Sequence, residues 1–390
     1  MTQLNYLILA TLLIGWGCTT TEKSVYEYDP SGPPPGHSNH GEAFNKGPRQ
    51  AAYLMGTTSN VSFPITTGST VAQAFFNQGV GQLHGFWYLE AERSFRQVLK
   101  IHPGHPMAYW GMAMANANNR TRALPLIKKA EEDRNLVSER ERLWIDSMTA
   151  YLEESDSKKR KAARIKAYQS IAEKFPDDIE AQAFYALALY GDVRAKKNYD
   201  DIEKRIAAIL SKNPNHPCHH YRIHLWDYKD AKRALPSVDQ CGQAAPGIAH
   251  MWHMPGHILS RLKRYHDAAW QQEASARVDH AHMMRDRVMP DRIHNFAHNN
   301  EWLTRNLSHA GRVERALAMA KNMIELPRLP NVKDDGTWSF SSRSSHTYGR
   351  RHLHGLLTNY ELWDTVLKLK DTHYLRPGSS AADRAKYLRL

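Results

Sequence analysis

Cysteine is scarce in this chain of 390 residues, with three in all, Cys18, Cys218 and Cys241. No C-x-x-C pair occurs, which leaves a thioredoxin-type redox site without support, and the haem-attachment pattern C-x-x-C-H is absent too. The sequence has no G-x-S-x-G elbow for a serine hydrolase and no Walker-type phosphate loop. It also lacks an apolar run long enough to span a bilayer at its start, where Leu7 to Trp16 soon gives way to polar residues. Charge of one sign is not segregated. Lys and Arg outnumber Asp and Glu by 52 to 40, a formal charge of +12, yet they alternate with acids in stretches such as "IKKAEEDR". That pattern describes solvated helix faces. A nucleic-acid interface would want a basic stripe interleaved with aromatics, so nucleic acid is not an expected partner.

What is present begins with "MTQLNYLILATLLIGWGC", residues 1–18, which reads as a secretion signal. Cys18 directly after Gly17 resembles the bacterial lipoprotein signal, in which the cysteine becomes the lipidated first residue; an ordinary cleaved signal is the alternative. Either one places the mature chain outside the cytoplasm, and lipidation would anchor it to a membrane of the cell envelope, facing the periplasm or exterior. Exported Cys218 and Cys241 can form a disulfide, or be two small buried residues. Residues 19–70 read as a flexible tether and lead-in, because "SGPPPGHSNHG" cannot build a regular element.

From residue 71 to 327 the apolar periodicity is helical and recurs. Gly79 is followed by Ala91, Phe95, Val98 and Pro103; Trp252, Gly256 and Leu259 are followed by Ala268, and Ala234 precedes Ala268 by 34 residues. A period of 34, with small residues where two antiparallel helices cross and a proline closing the second, resembles the tetratricopeptide repeat. The clearest repeats are 72–105, 215–248 and 249–282. The expected fold is all-α, a tetratricopeptide-like solenoid of helical hairpins. Residues 328–390 read as a loop and a helical cap covering the last apolar face.

Histidine is abundant, at 22, and its placement is patterned. In "HMWHMPGHILSRL", His250, His253 and His257 fall at i, i+3 and i+7, one face of a helix opposite Trp252, Gly256 and Leu259. In "DRIHNFAHNNEWL", His294, His298 and Glu301 fall at i, i+4 and i+7; "HPCHHYRIHLWD" adds His220 and His224, and His84 lies in the first repeat. First helices of consecutive repeats stack roughly 10 Å apart, so these faces can converge on one groove. His280, His282 and Asp279 stand at the end of a second helix and could close an edge of it. Imidazoles at i, i+4 are a common half-site for copper, zinc or iron, and three or more with a carboxylate suffice. The competing reading is a polar groove whose histidines bind each other and a peptide. Pro255, amid the triplet, either starts its helix or kinks it.

The run "NPNHPCHHYRIH…RALPSVDQ…PGIAHMWHMPGHILSRLKRYHDAAW" is similar to a group of exported bacterial tetratricopeptide proteins that carry a His-Met-Pro-small-His segment and a later His-Asn segment. Some relatives in that group are joined to redoxin-like or cytochrome-like domains, whose motifs are missing here. The resemblance supports the repeat fold, draws attention to His250, His253, His257, His294, Asn295 and His298, and supplies no reaction. The function expected is a membrane-tethered scaffold whose His-lined concave groove binds a transition metal and a protein or peptide. The alternative is a metal-dependent enzyme that activates water or oxygen, with Glu301 or Asp279 as ligand or general base.

Overall fold

The computed structural model describes residues 51–332 and 336–376, together with Ala385; the signal, Cys18 and most of the tether lie outside them. Apart from a two-residue antiparallel pairing of Asn331 with Ser339 and Val332 with Trp338, the regular structure among the described residues is helical. The helices follow one another as antiparallel hairpins. In chain order these are α1 (Thr70–His84) with α2 (Tyr88–Ile101), α3 (Pro106–Ala115) with α4 (Arg120–Glu132), and α5 (Glu139–Glu153) with α6 (Ser157–Lys174). Then α7 (Ile179–Tyr190) pairs with α9 (Tyr199–Lys212) across the short α8 (Val193–Lys196), and α10 (Cys218–Trp226) with α11 (Leu235–Ala244). Last come α12 (Ala249–Arg261) with α13 (Tyr265–Asp286), α14 (His294–His309) with α15 (Val313–Glu325), and α16 (Ser345–Asn359) with α17 (Trp363–Leu369). The architecture is the expected tetratricopeptide-like solenoid, with hairpins where the 34-residue period places them. No helix among the described residues is long and apolar enough to cross a membrane.

Local chemistry explains the boundaries. Side chains of Ser69, Asn119, Asp156, Asp178 and Ser344 accept backbone N–H groups at helix starts, and Ser138 with Glu141 forms a full capping box on α5. The small residues of the repeat stand at helix crossings. Phe95 is wedged between α1 and α3, and a Cβ on Gly79 or Gly111 would run into its ring. Ala91, Ala234 and Ala268 are fully buried in the equivalent positions.

Two features depart from an open solenoid. First, residues 51–69 are packed rather than free. Phe63 is fully buried among Phe76, Trp110 and Trp144, with ring centroids 5.3, 5.4 and 5.6 Å away. The segment crosses several repeats as a strap. Thr66 N–H donates to Glu141 on α5 (2.7 Å), Asn213 beyond α9 donates to the Asn60 carbonyl (3.0 Å), and Gly247 N–H donates to the Thr57 carbonyl (2.8 Å). Second, the curve closes on itself. Asp286, at the end of α13, takes the Tyr53 hydroxyl at 3.0 Å and Arg93 of α2 at 3.0 Å, and His282 Nδ1 lies 2.8 Å from it. The first hairpin is thereby held against the sixth, and the α1–α2 turn lies on α10 and α12.

Because Phe63 fills the centre of the first aromatic cluster, Phe63→Ala should cost about 3–5 kcal/mol. The check is the urea midpoint, and a loss under about 1 kcal/mol would mean that the strap is not part of the folding unit.

Candidate metal centre

Helices α10, α12 and α14 begin consecutive hairpins and lie side by side, so the histidine-bearing faces read from the sequence do converge. They meet in a buried seam more than in an open groove. His253 is fully buried and His257 is 7% exposed. Pro255 is the seventh residue of α12, well inside the helix, so the Met251 carbonyl has no N–H four residues on. Met251 and Met254 are packed in the apolar core.

At the centre of the seam one ring nitrogen from each of His253, His257 and His298 lies within 4.8 Å of the other two. The protons on these rings are fixed by their neighbours. His253 Nδ1 faces two amide oxygens, Gln272 Oε1 at 2.7 Å and Asn299 Oδ1 at 3.0 Å. Neither amide is turned the other way, because Gln272 Nε2 donates to the His253 carbonyl and Asn299 Nδ2 donates to the Gln272 carbonyl. His253 Nδ1 therefore carries the hydrogen. His257 Nδ1 donates to Asp227 Oδ2 at 3.0 Å, and Trp302 stacks on the same ring with centroids 4.0 Å apart. The two remaining nitrogens, His253 Nε2 and His257 Nε2, point at each other 2.8 Å apart. With these assignments both present lone pairs, which a proton or a metal ion between them would satisfy.

A proton is poorly placed to be that cation. Burial and the surrounding imidazoles hold the His253 ring well below the usual histidine range, and burial outweighs Asp227 to lower His257 too. A transition metal meets the same need with neutral rings. Behind His298, Glu301 accepts from Nδ1 at 3.4 Å, as Asp227 does behind His257, which is how carboxylates orient metal-bound imidazoles. Asp227 and Glu301 are both held below the usual carboxylate range; burial acts against this, and the paired His and Arg side chains outweigh it. Gly256 belongs to the same design, since a Cβ there would collide with Gln272, the partner of His253.

His220, His224 and His250 form a second group with ring nitrogens within 4.8 Å of one another, and the His250 and His253 rings stack at 5.7 Å. His250 and His298 also line a cleft of about 1030 Å³, together with Phe86, Trp87, Asp279, Arg287 and His294 among others. Asp279, pushed up by burial to about 7, accepts from Asn295 at 2.7 Å, and Asn295 in turn faces His250 Nδ1 at 3.2 Å.

Other expected site residues are placed elsewhere. His294 is exposed and bonded to Arg343, because it sits at the first turn of α14, beyond the seam. Glu301 supports His298 and pairs with Arg351; it is not in the histidine group itself. His280 is exposed, whereas His282 is buried in the closing contact with Asp286. Cys218 and Cys241 are both buried free thiols, so the pair is not bridged.

His84 points away from the seam into a third buried group with Glu180 and His216. There every nitrogen is already used. The Tyr221 hydroxyl meets His84 Nδ1, and His84 Nε2 donates to Glu180 Oε2 at 2.7 Å. His216 Nδ1 accepts the Cys218 N–H at 3.1 Å, and His216 Nε2 donates to Glu180 Oε1 at 3.3 Å. No imidazole lone pair is left for an ion. The group is a hydrogen-bond network tying α1, α7 and the start of α10 together.

Asp227, Gln272, Asn299 and Trp302 are the residues that the sequence did not single out. Asp227 stands three residues after His224 in "HLWD", but nothing in the spacing says that it reaches His257.

No family profile matches the chain, and no curated protein does. Chains of solved structures that resemble it number 47. One of them is described as "Crystal Structure of the Yeast Tom70", with TM-score 0.46 and 13% identity, over 78% of this chain. This chain spans 59% of that one.

Burial opposes ionisation of Glu180, but His216 and His84 outweigh it and bring its carboxyl down to about 2 from 4.5. A carboxylate depressed on folding stabilises above its unfolded value and loses that contribution as pH falls toward its folded value. About 3 kcal/mol should therefore be lost between roughly pH 4.5 and 2. Glu180→Gln should remove most of that acid dependence from the urea-unfolding free energy; an unchanged pH slope would contradict the network.

Proposed function

We propose that this chain is a transition-metal-binding protein of the cell envelope, in which the solenoid holds an ion at His253, His257 and His298 beside a cleft that receives a protein or peptide. The observation that carries the reading is the pair of facing lone pairs, His253 Nε2 and His257 Nε2, 2.8 Å apart. A tetrahedral ion with bonds of about 2.0–2.1 Å sets its nitrogens roughly 3.3 Å apart, so a small opening of the pair accommodates it. All-imidazole ligation suits copper, zinc or iron. Asp227 and Glu301 supply compensating negative charge behind two of the rings.

The cleft favours a second reading, a metal-dependent enzyme acting on water or oxygen. Three protein ligands leave a position for an exogenous one, and His298 belongs both to the histidine group and to the cleft wall. The scaffold reading rests on the helical-hairpin architecture, and partner capture that survives chelation would favour it.

The test is elemental analysis of the folded part, purified without a histidine tag, against His253→Ala/His257→Ala. One or more equivalents of metal in the wild type, falling in the variant while helical circular dichroism persists, is the expected result. Protein that stays folded and takes up no copper, zinc or iron overturns the reading.

We propose further that export and anchoring run through the first eighteen residues, supported by the apolar stretch Leu7–Trp16 and Cys18 after Gly17. Expressed in a bacterial host, the full chain should sediment with membranes, and Cys18→Ala should release it. Equal membrane association of both forms would remove lipidation at Cys18.

A further inference from the structure

We propose that His220, His224 and His250 form a second transition-metal site, so that the seam holds two ions side by side. The inference extends the reading of the first site and rests on its own set of atoms.

The lone pairs of His220 and His250 are again fixed by what the other ring nitrogen does. His220 Nδ1 donates to the His84 carbonyl at 2.8 Å, which leaves Nε2 as an acceptor. His250 Nδ1 faces Asn295 Oδ1 at 3.2 Å, and Asn295 cannot present its NH2 there because Nδ2 donates to Asp279. His250 Nε2 is therefore also an acceptor. His220 Nε2 and His224 Nε2 are cut off from solvent and have no hydrogen-bond partner, although His220 is a fully buried residue. A buried polar atom left in this way is unfavourable, having lost its water without gaining a partner. The contrast with His84, Glu180 and His216, where each nitrogen has a partner, shows that this interior can satisfy imidazoles when hydrogen bonds are all that is required.

The surroundings are built for occupancy. Phe86 caps the group, its ring centroid 4.5 Å from that of His220 and 5.4 Å from that of His224. It does so from the left-handed backbone region, with φ of 57°, which costs an aromatic residue energy that the packing around it must offset. The two groups share α12. His250 serves one, His253 and His257 the other, and the ring stack between His250 and His253 makes them contiguous. Each would offer three neutral imidazoles, a donor set for copper, zinc, iron or nickel.

The experiment uses the tag-free protein, stripped with a chelator and titrated with Zn(II), then separately with Cu(II), with bound metal read by elemental analysis. Two equivalents per chain are expected in the wild type, and one in each of His224→Gln and His257→Gln. Copper-loaded wild type should show a paramagnetic resonance signal broadened by the neighbouring ion, a readout that needs no substitution. One equivalent in the wild type that His224→Gln leaves intact overturns the second site and leaves the first standing. No uptake at all by folded protein overturns both. Two equivalents with sharp, fully integrating copper signals would show ions far apart and overturn the adjacency.

Discussion

The contact around Asp286 is the constraint on which the rest depends. A helical-hairpin array stacks each repeat only on its neighbours and leaves the first and sixth apart. Here Arg93, Tyr53 and His282 converge on one carboxylate, which they hold well below the usual range although burial acts against it. That closure brings the α1–α2 turn onto α10 and α12. Phe86 reaches the histidines, and the His84 carbonyl reaches His220, in this closed arrangement, which the bonds of His84 to Tyr221 and Glu180 hold as well. Without the closure the cleft would lose the wall made by Gly85 to Glu90.

Within this closed body, three buried imidazole groups look alike by composition and differ in their hydrogen accounting. A neutral imidazole has one donor and one acceptor nitrogen, so each ring poses two demands. The group on Glu180 meets all of them internally. In the two groups on α12, His220, His250, His253, His257 and His298 meet the donor demand with carbonyls, amide oxygens and carboxylates, and leave acceptors converging. Placing two acceptors 2.8 Å apart in a region that resists protonation is the strongest chemical signal in the molecule.

Much of the fold was legible because its determinants are periodic. The 34-residue spacing of Ala234 and Ala268 and the 12-residue steps after Gly79 and Gly256 mark helix crossings, and a crossing tolerates only small side chains. The shared face of His250, His253 and His257 was legible for the same reason. What escaped is what depends on contacts distant in sequence. Asp227 meets His257 from 30 residues away and Asn299 meets His253 from 46. His84, read as groove-facing, turns inward because Glu180 and Tyr221 lie there, and no local pattern announces either. The lead-in before α1 has little periodicity, so the burial of Phe63 was not readable. One helix face also proved too coarse a description: successive residues of the same stripe belong to different groups, and His294, one turn before His298, already lies outside the seam.

That stripe has a mechanical consequence. His250, His253 and His257 project from a single helix that is hydrogen-bonded along most of its length, and a helix moves more nearly as a rod than as independent side chains. Any agent that parts His253 from His257 pushes on the rod that carries His250. The interruption at Pro255, where the Met251 carbonyl lacks its usual donor, falls between His253 and His257. A displacement of His253 or His257 would therefore be carried along α12 to His250, a residue of the neighbouring group.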